Sequence, residues 1–255
     1  MAAKPSLPAP FLRRIAVRDD RLMPAIYPFT VPLFANPEFE LSFSKPITII
    51  VGANGSGKST LLEAIARHCG FSLGGGSRDH AAAAPKADGG GLADALRFSW
   101  LPKVMNGFFF RAESFFDFSG YIDQLATEFP IVLNSVGGAP LLTQSHGESF
   151  LALFRNRLGS SFRAFYVLDE PEAALSPSRQ LEFLGLMHTW HNSGNVQAII
   201  ATHSPIVMAY PNAEVLGIDS NRIAPFDYRQ SEQYQVMRDF LSDPEGAMRS
   251  VLDAE

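Results

Sequence analysis

The sequence predicts an α/β fold built on a mostly parallel sheet, and three observations predict it. Ile47–Val51 is a mainly apolar run, rich in β-branched residues, that stops at a glycine-rich turn. Phe165–Leu168 and Val196–Ala201 are two further runs of the same kind. Segments with helical spacing separate them, and strands alternating with helices place the helices on both faces of one sheet. A strand covered on both faces has no polar side, so it reads as continuously apolar.

The remaining elements follow in chain order. Residues 1–10 read as a loose tail, and Leu12, Ile15 and Val17 among Arg13, Arg14 and Arg18 predict an edge strand. Phe39, Leu41 and Phe43 alternate with Glu38, Glu40, Ser42 and Ser44, the period of a half-buried strand. Ser59–His68 predicts a helix with Leu61, Leu62, Ile65 and Ala66 on one face. The glycine- and alanine-rich stretch 70–91 predicts a surface loop. Aromatic residues from Phe108 to Tyr121 predict packed helices over 108–135. A further helix is expected over 148–158, with Phe150, Leu151, Phe154 and Leu158 on its packed face. Arg179–Trp190 predicts a helix presenting Leu181, Leu184 and Met187 to the core. Val215–Ile218 and Ile223–Tyr228 predict late strands, and Gln233–Leu241 a closing helix.

Composition narrows the function. A chain of 255 residues, 46% hydrophobic and 18% charged, is neither disordered nor fibrous. Its net charge of −5 argues against a generic polyanion binder, and Arg155, Arg157 and Arg163 read as a solvated face. The single cysteine, Cys69, excludes an internal disulfide and a cysteine zinc site, and suits the reducing cytosol. No apolar run approaches the ~20 residues of a membrane span, and Met1–Pro10 has no apolar signal core. A cytoplasmic protein with no direct membrane insertion is therefore expected.

The chemistry is concentrated in two places. Gly52-Ala53-Asn54-Gly55-Ser56-Gly57-Lys58-Ser59 fits G-x-x-x-x-G-K-[ST], between a buried strand and an amphipathic helix. Glycines let successive N–H groups point at phosphate oxygens, and the helix start that continues through Thr60 adds its positive dipole end. Lys58 supplies a point charge, and Ser59 a hard oxygen for Mg²⁺. The apolar strand Phe165–Leu168 ends in Asp169 and Glu170. In a parallel sheet that end faces the ligand crevice, so Asp169 is placed for Mg²⁺ and Glu170 for an attacking water.

With these residues in place, the chain resembles the ATPase domains of the ABC superfamily, in its soluble SMC-, RecF- and OLD-like branch. Five motifs stand in the family's order. After the phosphate loop (Walker A) comes Gln144-Ser145-His146-Gly147-Glu148, which looks like the ABC signature and ends 21 residues before Asp169. Asp169 and Glu170 match the Walker B aspartate and catalytic glutamate, Ala174–Pro177 the D-loop, and Thr202-His203-Ser204 the switch histidine. The segment Arg111–Ser114 and the Ser-His-Gly-Glu signature are similar to those of compact bacterial AAA/ABC-type ATPases.

The resemblance implies a P-loop NTPase fold of the ABC-ATPase type: one domain, 1–255, with N-terminal antiparallel strands. Its core would span about 11–105 and 160–255, with a small helical signature subdomain at about 106–159. It implies an Mg²⁺-dependent ATPase with Glu170 and His203 catalytic. Asn54, Gly55, Ser56, Gly57, Lys58, Ser59 and Thr60 would bind the nucleotide, and Ser59, Asp169 and Glu113 the metal. Ser145, His146, Gly147 and Glu148 would act in trans across an ATP-dependent homodimer, serving a protein or nucleic-acid partner. Two departures from the pattern are visible. No Q-loop glutamine is evident, the resemblance implies Glu113 for that position near the metal, and His146 replaces the first signature glycine. The alternative is the nucleotide-binding subunit of a membrane transporter whose transmembrane part is another chain. The interval of 87 positions from Lys58 to Ser145 is too short for the coiled coil of a full SMC-type tether.

Overall fold

A computed structural model describes residues 7–21, 25–78 and 90–252. Residues 1–6 of the expected tail and 79–89 of the expected loop lie outside them. The strands in chain order are β1 (Leu12–Val17), β2 (Glu40–Ser42), β3 (Ile47–Val51), β4 (Leu96–Trp100), β5 (Gly107–Arg111), β6 (Ala164–Asp169), β7 (Val196–Ala201), β8 (Glu214–Asp219) and β9 (Arg222–Pro225). Six of them form the central sheet in the order β5-β6-β7-β3-β8-β9, parallel throughout except for the terminal β8–β9 hairpin. The other three form a small antiparallel sheet, β2-β1-β4.

The helices are α1 (Pro32–Ala35), α2 (Lys58–Cys69), α3 (Gly90–Ala95), α4 (Phe115–Glu128), α5 (His146–Arg157), α6 (Pro177–Ser193), α7 (Pro205–Met208), α8 (Glu232–Ser242) and α9 (Pro244–Leu252). Strand periodicity sorts the core into two layers. Ile50, Phe109, Phe165, Val167, Ile199 and Ala201 join α2 and the small sheet on one side. Ile49, Phe108, Phe110, Tyr166, Leu168 and Ile200 face α4, α5 and α6 on the other. The second layer is aromatic. Phe150 lies 4.5 Å from both Phe110 and Phe154, ring centre to ring centre, and Phe154 lies 5.3 Å from Phe183. These rings lock the helices onto the sheet, and truncating one to alanine costs ~3–5 kcal/mol.

One buried polar residue joins the two sheets. Gln197 in β7 is fully buried, and its side-chain oxygen accepts from the N–H groups of Phe11 and Leu12 at 2.7 Å each. Its amide nitrogen donates to the Leu12 carbonyl at 3.0 Å.

Several expectations are corrected. Leu12–Val17 is not an edge strand but the middle of its sheet, because Leu96–Trp100 pairs along its other side. Gly107–Arg111, expected as helix from residue 108 on, form a strand hydrogen-bonded to β6. Gly107 permits that pairing, since a Cβ there would lie 1.9 Å from the Phe165 carbonyl oxygen. The strand expected over Ile223–Tyr228 ends at Pro225, and Tyr228–Gln230 is a 3-10 turn. Leu181 faces solvent at 61% exposure, and α6 buries Phe183, Met187 and Trp190 instead. A further helix, α9, follows the expected closing helix, and neither α8 nor α9 contributes a buried residue.

Candidate functional site

Strand register assembles the site. Arg111 in β5 stands opposite Asp169 in β6, Asp169 opposite Ala201 in β7, and Ala201 opposite Ile50 in β3. Four neighbouring strands therefore end at one level, and the chain leaving each end reaches the same crevice. The loop from Gly52 to Gly57 leaves β3, Glu170 leaves β6 and His203 leaves β7.

The glycine loop folds over its own lysine. Lys58 Nζ donates to the carbonyls of Gly52 at 2.8 Å and Ala53 at 3.0 Å. Gly57 has φ 100°, and a Cβ there would lie 3.1 Å from both the Phe34 ring and Val31. Position 57 thus needs glycine for conformation and for space. Helix α2 begins immediately after it with no side-chain cap, so its first N–H groups remain open.

Ser59 Oγ donates to Asp169 Oδ1 at 3.2 Å, joining the glycine loop to the end of β6. Glu170 has φ 51°, a left-handed conformation rare for a side chain of its size and a form of strain that concentrates at functional sites. Its Oε1 lies 3.7 Å from His203 Nε2. His203 Nδ1 meets the side-chain nitrogen of Gln233 at 3.1 Å. An amide nitrogen only donates, so this contact is a hydrogen bond in the neutral tautomer that carries its proton on Nε2. Burial and the nearby Lys58 charge lower the His203 pKa, favouring that neutral form.

The groups lie around a cleft of about 420 Å³. Asn54, Gly55, Gly57, Lys58, Ser59 and Thr60 line one side. Glu113, Glu170 and His203 line another, with Tyr27 and Val31 at its margin. Burial pushes Asp169 up to about 6, and desolvation lowers the Lys58 pKa. Both groups pay for ionisation in this site, and a polyphosphate with a divalent cation would relieve both. Among the described residues, no three His, Cys, Asp or Glu side chains converge into a metal cage. The donor set fits Mg²⁺ all the same, because that ion takes one or two protein ligands and completes its shell with phosphate and water oxygens.

Ser145, Gly147 and Glu148 are not brought to this cleft. They form the start of α5, where Ser145 and Glu148 are exposed. Glu148 Oε2 accepts from Ser145 N at 3.2 Å and from Ser145 Oγ at 2.6 Å, and that hydroxyl lowers the Glu148 pKa. The His146 side chain lies outside what is described.

Sequence reasoning missed three contributors. Arg111 pairs with Glu63 of α2 and lies 3.4 Å from Glu113 and 3.6 Å from Asp169. Glu172 accepts from the N–H groups of His203 at 2.7 Å and Ser204 at 3.2 Å. Tyr27 Oη lies 3.0 Å from Thr60 Oγ1. Arg111 and Glu172 each stand within two residues of a motif position, which was the available signal.

Two stretches match family models. Residues 33–92 match a model described as "AAA domain", and 149–209 one described as "AAA domain, putative AbiEii toxin, Type IV TA system". No curated protein matches the chain. Among solved structures, one is described as "An inward-facing conformation of a putative metal-chelate type ABC transporter". It is 16% identical with a TM-score of 0.45, covering 78% of this chain and 80% of that one. Another is an SMC head domain from Thermotoga maritima, 19% identical with a TM-score of 0.44, covering 85% of this chain and 99% of that one. Among the described residues, no helix is long and apolar enough to cross a membrane. The two model matches span the glycine loop in one case and Asp169, Glu170 and His203 in the other, and both models are described as AAA domains.

Proposed function

We propose that the chain binds ATP with Mg²⁺ in the Gly52–Ser59 loop and hydrolyses it, as a cytoplasmic switch in which two copies close over two nucleotides. The observation that carries this reading is the hydrogen bond from Ser59 Oγ to Asp169 Oδ1 at 3.2 Å. It joins a phosphate-type loop to the carboxylate end of a strand 110 residues further on, where a hard cation has ligands from both.

Each residue has a task in that reading. Open N–H groups of the loop and of the α2 start hold the phosphate oxygens, and Lys58 balances the terminal charge. Ser59 and Asp169 hold the cation, with Glu113 beside them. The cation would shield the phosphate oxygens and stabilise the charge that develops on them. Glu170 accepts a proton from the water whose oxygen bonds to the γ-phosphorus, while the bond to the bridging oxygen breaks and ADP leaves. His203 donates from Nε2 to a γ-phosphate oxygen. Tyr27 and Val31 offer a face for the adenine ring.

The exposed start of α5 completes the site in a second copy. There Ser145, His146, Gly147 and Glu148 would bring N–H groups and a helix dipole to the partner's γ-phosphate. Loss of that phosphate then loosens the pair. Calorimetric titration with ATP, with and without Mg²⁺, tests the reading alongside measured phosphate release. Binding strengthened by Mg²⁺ and slow release are expected, and a folded protein that neither binds nor releases would overturn it.

A further inference from the structure

Arg111 is the cation in this site with no assigned task. It ends the edge strand β5, directly across from Asp169. Its Nη1 is bonded to Glu63 Oε1, so the outer end of the guanidinium is held by α2. The inner end is held loosely. Nε lies 3.4 Å from Glu113 Oε2 and 3.6 Å from Asp169 Oδ2, and it makes no hydrogen bond.

This asymmetry has a physical meaning. Asp169 is buried, 4% exposed, whereas Glu113 and Glu170 line the adjoining cleft with side chains 82% and 45% exposed. A buried carboxylate with further carboxylates at the open side of its cleft attracts a divalent ion unless a fixed charge stands in for it. Arg111 supplies that charge, and its long contacts to Asp169 and Glu113 are the ones an entering ion has to displace. Its bond to Glu63 need not break, so the guanidinium keeps a place when displaced. A metal ion arriving with phosphate oxygens brings compensating negative charge, and one arriving alone does not.

We propose that Arg111 is a positioning residue that acts as resident counter-cation of Asp169 and Glu113, so that the divalent ion enters with the nucleotide and not ahead of it. The proposal rests on the ATP-and-Mg²⁺ reading of the site.

The probe is Mn²⁺ alone, its free concentration followed by electron paramagnetic resonance on the full chain without nucleotide. The wild type is expected to bind Mn²⁺ weakly, and Arg111→Gln to bind it roughly tenfold tighter or more. Arg111→Lys, which keeps the charge, should behave as the wild type. Arg111→Met retains the apolar stem and serves if the glutamine variant does not fold. Equal Mn²⁺ affinity in the wild type and in the folded neutral variant would overturn the proposal. So would a lysine variant that binds as tightly as the neutral one. Failure of the underlying reading looks different, because the wild type would then take up no additional Mn²⁺ when ATP is added.

Discussion

The backbone N–H of His203 donates to Glu172 Oε1 over 2.7 Å, so the loop after β7 is anchored by the residue two places beyond Glu170. Ser204 N–H shares the same oxygen. The loop after β6 and the loop after β7 are therefore tied together through the Glu172 carboxylate, which helps set the spacing between Glu170 and His203. Glu172→Ala leaves both N–H groups without their acceptor. A loss of ~1–3 kcal/mol in denaturant unfolding and a clear drop in phosphate release are expected. Glu172→Gln keeps a carbonyl acceptor and should recover most of both, and wild-type turnover in the alanine variant would show that the anchor is dispensable.

Glu170→Gln keeps the shape of the side chain and removes its basicity. It should bind ATP at near wild-type affinity while turnover falls by ~10² or more. Light scattering with ATP should show the mass doubling in this variant. Unchanged steady-state hydrolysis would remove Glu170 from the chemistry, and a strict monomer would count against pairing of two copies.

Lys58→Ala removes the charge that the Gly52 and Ala53 carbonyls hold in place. Nucleotide affinity measured by calorimetry should fall by at least ~10², since a phosphate oxygen loses its nearest fixed cation. Stability should change little, because desolvation already disfavours the charged amine in the folded protein.

Asp169 gives the pH dependence. Its pKa in the folded chain, about 6, lies above the ordinary 3.8 because burial disfavours the charged form. Its contribution to stability is fully present below pH 3.8 and is lost as the pH rises through about 6. Asp169→Asn has no such loss. Without metal or nucleotide, the asparagine variant should gain on the wild type by on the order of 1–2 kcal/mol between pH 5 and pH 7. Melting curves across that range check it, and a gap independent of pH would contradict the assigned burial. Excess Mg²⁺ with ATP should reverse the gap, because the cation then favours the ionised wild-type group.

The motif residues were legible because their chemistry is local. Gly52–Ser59, Asp169-Glu170 and His203 each follow an apolar strand whose burial is written in its own residues. What was not legible depended on alignment between strands. Arg111 stands inside a motif segment but shows no role in the sequence, because its partner Asp169 is 58 residues away and becomes its neighbour only through β5–β6 pairing. The strand itself was read as helix, since three phenylalanines in a row suit either element when both faces are covered. Leu96, Phe98 and Trp100 alternate with Arg97 and Ser99, a clear strand signal that would have moved Leu12–Val17 to the middle of its sheet. Gln197 gave no sign of its role, since a lone glutamine in an apolar run has no local explanation.

The common level at which Arg111, Asp169, Ala201 and Ile50 stand has a corollary for change by insertion. One extra residue within Ala164–Leu168 would turn both following acids to the opposite side of the ribbon while leaving every motif spelled as before. Extra residues at the far ends of the same strands would leave that alignment alone. The constraint on this chain is therefore a matter of counting along β6 as much as of spelling, and a search by motif letters alone would accept sequences that place the acids on the wrong side.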